Sequence, residues 1–228
     1  MIRLVRSVSS FLGMRRHRNV KPSQLPGVAA YPAVMNMLEQ HLDMQFEDLR
    51  GMLRLPTWRM RGGCNFAAAS ILTNLIGGFS VILYNDPDRS MPPAKEPRQR
   101  GARLRHLLRD LFPHDATIDP PKAVVVEIVY TFARNALTHA LGLRQPADPE
   151  INIGKRRLTS AEIATLESSP QRPPGLVGAI VTQRYHRTFD LSVVGLYWAT
   201  FRLLEGLTSD PNHMMFAEKE LQSGIWVP

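Results

Sequence analysis

Apolar residues recur at every third or fourth position in several blocks of the chain, a spacing typical of amphipathic helices. Three such blocks, 32–50, 101–112 and 122–143, are bounded by prolines or glycines. A fourth block, 64–84, contains no charged residue and predicts a helix that is apolar on all sides. The pattern therefore predicts a mainly α-helical fold.

The pattern changes in the last third of the chain, where short segments replace long helices. Thr159 and Glu162 have the spacing of a capping box and predict the start of a short helix. Two short β-prone runs, 176–183 and 188–193, predict a small hairpin, and the run 194–207 predicts a final helix. We therefore expect a small C-terminal extension that contains a β-hairpin.

The length of 228 residues suits one sizeable core and is short for two independent ones. We expect a helical domain over 29–143 and an extension over 144–228 that packs on the same core. Residues 1–28 are basic and predict a flexible segment, although an arginine- and serine-rich start without acids is also typical of an organellar transit peptide.

The uncharged block 64–84 is about as long as a membrane span. Asn74 and the pair Gly77–Gly78 dilute its hydrophobicity, so we expect a core helix and no stable membrane insertion. The single cysteine, Cys64, favours a reducing compartment, and we expect a cytoplasmic protein. Neither a zinc-ligand spacing nor a glycine-rich nucleotide motif occurs, so we expect no metal and no cofactor.

Positive charge is concentrated in two segments, which together account for the net charge of +8. Residues 1–24 contain six bases and no acid, and residues 87–109 contain seven bases and two acids. A local excess of this kind is typical of proteins that bind a polyanion such as RNA. The candidate RNA-binding residues are five arginines of the second segment: Arg98, Arg100, Arg103, Arg105 and Arg109. The histidine within that segment, His106, stands alone in polar surroundings and is expected to be exposed.

The helix predicted over 122–143 contains three polar residues in an otherwise apolar setting: Arg134, Asn135 and His139. Asn135 and His139 are one helical turn apart, so the amide can hydrogen-bond the imidazole and fix its tautomer. Arg134 lies about 140° around the axis from His139. Two copies of the helix packed across a two-fold axis would bring two arginines and two histidines around one cleft.

These residue types suit cleavage of RNA without a metal ion. A histidine can take the proton from the 2′-hydroxyl as that oxygen attacks phosphorus, and an arginine can bind the phosphate oxygens. Glu127 is the only carboxylate between Lys122 and Leu143, which disfavours a two-metal nuclease site. The simpler alternative is a solvated polar stripe on a core helix.

The motif of Arg, a polar residue, three variable residues and His, late in a helical domain, resembles that of the HEPN family (higher eukaryotes and prokaryotes nucleotide-binding). The resemblance covers roughly residues 30–143. It implies a HEPN-like helical bundle and a metal-independent endoribonuclease of toxin or phage-defence type, active as a homodimer with the motif at the interface. It also implies that Arg134 and His139 are the catalytic pair and that Asn135 is a polar auxiliary. An antitoxin or a regulatory protein is a possible further partner.

Two alternatives stay open at this point. The chain could be a catalytically silent HEPN-like module, in which Arg134 and His139 are structural and the basic segments hold nucleic acid or a protein. It could also be a membrane-associated protein.

Overall fold

The computed structural model describes residues 19–56, 63–87, 99–140 and 148–224, with residues 135–140 described by their backbone. This part of the chain is mainly helical. Its α-helices are α1 (Pro32–Met37), α2 (Asp43–Arg54), α3 (Gly63–Ile82), α4 (Arg100–Leu111), α5 (Lys122–Ala140), α6 (Ser160–Ser168), α7 (Val193–Ser209) and α8 (Pro211–Gln222). A π-helical turn, Leu38–Leu42, joins α1 to α2, and the prediction of a helix over 32–50 is confirmed in this form.

A small sheet contains the strands β1 (Glu150–Gly154), β2 (Val181–Tyr185) and β3 (Thr188–Ser192), in the order β1-β3-β2. The antiparallel pair β2 and β3 is the predicted hairpin. Strand β1 lies parallel to β3, with Ile151 opposite Phe189, and α6 lies in the connection between β1 and β2. In β1 the alternation of two isoleucines with polar residues is too short to predict a strand from the sequence.

Helix α7 lies at the centre of the fold, with 14 of its 17 residues buried. Helix α3 packs along it, and apolar residues of the predicted helical domain and of the C-terminal extension form one core. Residues 19–28, which were expected to be flexible, instead pack on this core because Leu25 and Val28 bury their side chains there. The rest of that segment, 1–18, lies outside the described residues.

Three of the other predicted elements are confirmed with small changes of boundary: the uncharged helix α3, the helix α4 and the helix α7. The capping box is present, since Thr159 and Glu162 bond each other's backbone N–H groups at the start of α6. The expectation that 194–207 is the last helix is wrong, because α8 follows it. Asp210 caps α8 and Pro211 is its first residue, but only Met214 and Ala217 are buried apolar residues there, too few for a visible period.

Among the described helices, α3 alone is long and apolar enough to cross a membrane, judged by length and composition over Cys64–Ile82. It packs against α2, α4, α5 and α7, and 44% of its apolar window is buried inside the protein. One candidate of this kind is consistent with the expectation of no stable membrane insertion.

A buried carboxylate, that of Glu167 at the end of α6, joins three helices and the chain's N-terminal segment. It accepts hydrogen bonds from Arg50 Nε of α2 at 2.7 Å, from Tyr197 Oη of α7 at 2.5 Å and from the backbone N–H of Val20 at 3.0 Å. Arg50 also donates to the carbonyl oxygen of Val20, and Arg202 of α7 donates to the carbonyl oxygen of Glu167. Burial in this network raises the pKa of the Tyr197 hydroxyl well above its usual range.

We expect Glu167→Gln to reduce the free energy of unfolding by about 3 kcal/mol, because it removes the buried counter-charge of the Arg50 guanidinium and leaves only the exposed carboxylate of Glu47, 3.1 Å from Arg50 Nη1. Urea denaturation followed by circular dichroism measures the change. The matched control is Glu39→Gln, which neutralises an exposed carboxylate and should change stability by less than about 0.5 kcal/mol. A loss from Glu167→Gln no larger than that of the control would show that the network is not needed for stability.

Candidate functional site

Helices α3, α4 and α5 enclose an open groove of about 1210 Å³. Successive turns of α4 face the groove, because its lining residues include Gly101, Arg105 and Arg109, which are spaced four residues apart on one side of the helix. The α5 side extends from Lys122 to Arg134, about 18 Å along the helix axis. The groove is therefore long enough to hold an extended ligand.

Five cationic side chains line the groove: Arg100, Arg105 and Arg109 of α4, and Lys122 and Arg134 of α5. No carboxylate is among the described lining residues. Arg100 and Arg134 are exposed, and neither makes an ion pair with a described residue. Like charges held together in this way repel each other, and a bound anion relieves that repulsion.

Arg103 does not belong to this surface, and its prediction as an RNA-binding residue is wrong. Its side chain is buried, and its guanidinium donates to the carbonyl oxygens of Ser80 and Tyr84 at the end of α3. Ser80 lies in the last turn of α3, where carbonyls lack a partner within the helix, and Tyr84 follows the helix end, so Arg103 caps α3. Of the other predicted arginines, Arg100, Arg105 and Arg109 line the groove, and Arg98 lies outside the described residues.

Arg105 is held in a fixed position at the middle of the groove. Its Cζ atom lies over the ring of Tyr130, 3.8 Å from the centroid, and its Nη2 is 3.9 Å from Glu127 Oε2. The tyrosine is buried, whereas the arginine side chain is about half exposed. At this point in the groove the arginine guanidinium, and not the tyrosine ring beneath it, is accessible to a ligand.

Arg109 is paired with a neighbouring acid, since its Nε donates to Asp110 Oδ1 at 2.7 Å. Tyr84 donates its hydroxyl proton to the other carboxylate oxygen at 2.8 Å. The hydrogen bonds from Arg109 and Tyr84 hold the pKa of Asp110 below its usual value, and burial together with Asp110 raises the pKa of Tyr84. A phosphate at Arg109 would therefore share this guanidinium with a carboxylate.

His106 was expected to be exposed and isolated, and this expectation is wrong. Its Nδ1 lies 3.0 Å from Oδ2 of Asp86, a buried carboxylate just after α3, and the ring lines the groove. The two residues are 20 positions apart in the sequence, so no local motif could have shown the pair.

Of the three motif residues, Arg134 lies at one end of the groove. The helix that carries the motif is confirmed, since α5 continues to Ala140. The side chains of Asn135 and His139 lie outside the described residues. On a regular helix position 139 is about 140° around the axis from position 134, so the two positions do not share a face.

Two adjacent glycines, Gly77 and Gly78, form part of the floor of the groove. A glycine within a helix costs about 1 kcal/mol relative to alanine. A Cβ added at either residue would meet no heavy atom within 4 Å, so packing inside the protein does not require them. A ligand that approaches the helix backbone closely would require them.

Comparison of the chain with family models, with curated proteins and with solved structures finds no match in any of the three. Support for a function therefore comes from the groove and from Arg134 at its end.

We expect Gly77→Ala and Gly78→Ala each to raise the free energy of unfolding by about 0.5 to 1 kcal/mol and yet to weaken binding of an RNA oligonucleotide. Gly206→Ala in α7 is the matched control, since its Cβ would also meet nothing within 4 Å and it lies outside the groove. It should gain similar stability and leave binding unchanged. Unchanged RNA binding by both groove variants would exclude contact between RNA and the glycine pair.

Proposed function

We propose that the chain is a metal-independent endoribonuclease of the HEPN type, which holds RNA in the groove between α3, α4 and α5. One observation carries the proposal: Arg134, the first residue of the motif, lies in the same groove as three of the five arginines predicted from charge alone, with no carboxylate among the described lining residues. Two independent features of the sequence thus meet at one surface.

The chemistry follows from the residue types. Arg134 binds the non-bridging oxygens of the phosphate and stabilises the charge that builds on them. His139 accepts the proton of the 2′-hydroxyl as the bond between O2′ and phosphorus forms. The bond between phosphorus and O5′ breaks and O5′ takes a proton from solvent water, which leaves a 2′,3′-cyclic phosphate and a 5′-hydroxyl end. Asn135 orients the imidazole.

A homodimer is part of this proposal for a geometric reason. RNA that contacts Arg134 from the groove meets one side of α5, and position 139 is about 140° away around the same helix. A second copy packed across a two-fold axis supplies the missing group next to Arg134. The toxin or phage-defence role, and an antitoxin or regulatory partner, stay predictions of the family resemblance.

The second candidate is an RNA-binding module without catalysis. The observation that favours it is the make-up of the groove, whose described lining is cationic, small and apolar, with His106 as its one histidine. His106 lies six residues beyond Arg100, about 9 Å along α4. Such a lining is suited to binding phosphates by itself and does not require the motif to act.

Cleavage of a mixed RNA substrate in excess EDTA separates the two functions. We expect wild-type protein to produce 2′,3′-cyclic phosphate ends, and Arg134→Ala and His139→Ala each to reduce the rate by about 10²- to 10⁴-fold with unchanged thermal melting. Asn135→Ala should cost less, since it orients the histidine without moving a proton. If the wild-type protein binds RNA and never cuts it, the silent module is the better description.

The salt dependence of binding tests whether the groove holds phosphates. We expect Arg100→Gln and Lys122→Gln each to lower the slope of log affinity against log salt by roughly 0.7, the value for one lost contact on a single strand. Arg187→Gln is the control, because Arg187 is exposed on the hairpin turn away from the groove. Equal slopes for all three variants would show that Arg100 and Lys122 are solvated surface residues that do not contact phosphates.

A further inference from the structure

The exposed side of the Arg105 guanidinium differs from an ordinary surface charge. Tyr130 lies under the guanidinium and Glu127 lies at its edge, so the plane is held in place. Gly101 keeps α4 close to the tyrosine, since a Cβ there would come within 3.0 Å of Tyr130 Oη. A guanidinium plane fixed in this way is a surface on which a nucleobase can stack.

Part of the groove's lining is apolar. Val81 of α3 and Val126 and Ala133 of α5 line the groove together with the two glycines, whereas Thr73, Asn74 and Ser80 supply polar groups on the α3 side. Nucleobases bury their faces favourably on such a surface, whereas phosphates gain nothing from it. Only a strand with unpaired bases can use the floor, because a duplex hides its bases within its own stack.

Two further arginines of α4 line the groove near this plane. Arg109 is about one turn from Arg105, about 6 Å along the helix axis and on the same face. Arg100 is about 7.5 Å from Arg105 along the axis but about 140° around it, so it lies on another face of α4. Successive phosphates of an extended strand have a similar separation, so a base on Arg105 places a neighbouring phosphate near Arg109.

We propose that the groove is selective for single-stranded RNA and that the Arg105–Tyr130 stack is its nucleobase subsite. The choice of RNA as the ligand rests on the proposed function, and the subsite itself rests on the stack, the apolar floor and the spacing of the cations. Base stacking provides the preference for unpaired strands, and the arginines provide the affinity that all polyanions share.

Binding of 2′-O-methyl oligonucleotides of about twelve nucleotides, which cannot be cut by 2′-hydroxyl attack, tests the subsite by fluorescence anisotropy. We expect wild-type protein to bind a single strand about tenfold more tightly than a hairpin of the same composition. A strand with abasic positions keeps its phosphates and should bind about as weakly as the hairpin. Equal affinity for the three probes would overturn the proposal.

The variant Arg105→Lys keeps the charge and removes the plane. It should weaken binding of the single strand by about tenfold and leave binding of the hairpin and of the abasic strand unchanged. Arg187→Lys is the matched control at an exposed site on the hairpin turn, and thermal melting checks that both variants are folded. Wild-type affinity of Arg105→Lys for the single strand would overturn the subsite.

The failure of this proposal and the failure of the proposed nuclease give different results. A protein that prefers single strands and loses the preference in Arg105→Lys, but cuts no RNA, supports the subsite and contradicts the nuclease. A protein that cuts RNA but binds strand and hairpin equally contradicts the subsite alone.

Discussion

The buried carboxylate of Glu167 is the contact on which the position of the central helix depends. Removing a charge from water is costly unless it is paired and hydrogen-bonded, so Glu167 is stable in the core only when Arg50, Tyr197 and the N–H of Val20 all reach it. Because these partners come from α2, α7 and the N-terminal segment, the network forms as a whole. Helix α3 packs on α7, and the floor of the groove is a face of α3. The position of the groove floor thus depends, through α3 and α7, on the ion-paired network in the core.

Helix α4 connects this core to the groove through arginines on two of its sides. Arg103 turns inward and caps α3, which fixes the distance between the two helices. Arg105, two residues later and about 200° around the axis, turns outward onto Tyr130 of α5. The inward arginine stabilises the packing of α4 on α3, and the outward arginines give the groove its positive charge. Arg103 anchors α4 to α3 inside the protein. The outer arginines of α4 therefore stay close together in spite of their mutual repulsion, without needing a bound ligand to hold the helix in place.

The limits of sequence reasoning follow from these two arginines. Periodicity predicted α4 and α5, since each buries an apolar stripe along its own length, and largely apolar runs predicted α3 and α7. It could not distinguish Arg103 from Arg105, because a capping arginine and a surface arginine differ only in what the neighbouring helix offers. The same holds for the pair of His106 and Asp86, and for β1, whose parallel partner β3 is distant in sequence. Of the candidate site, local patterns predicted the residue types, and only the tertiary arrangement showed which ones meet.

The geometry of α5 bears on whether binding and catalysis can occur in one chain. Tyr130 and Arg134 are four residues apart and share the side of α5 that faces the groove. Position 139 is about 180° around the axis from position 130, so a strand lying on the first does not pass the second. A single chain therefore has the cationic groove that our proposal assigns to RNA, and under that proposal the motif would act on the RNA only if a second α5 approached the groove. In the proposed nuclease, catalysis would depend on assembly and binding would not, so the two could be separated by protein concentration as well as by mutation.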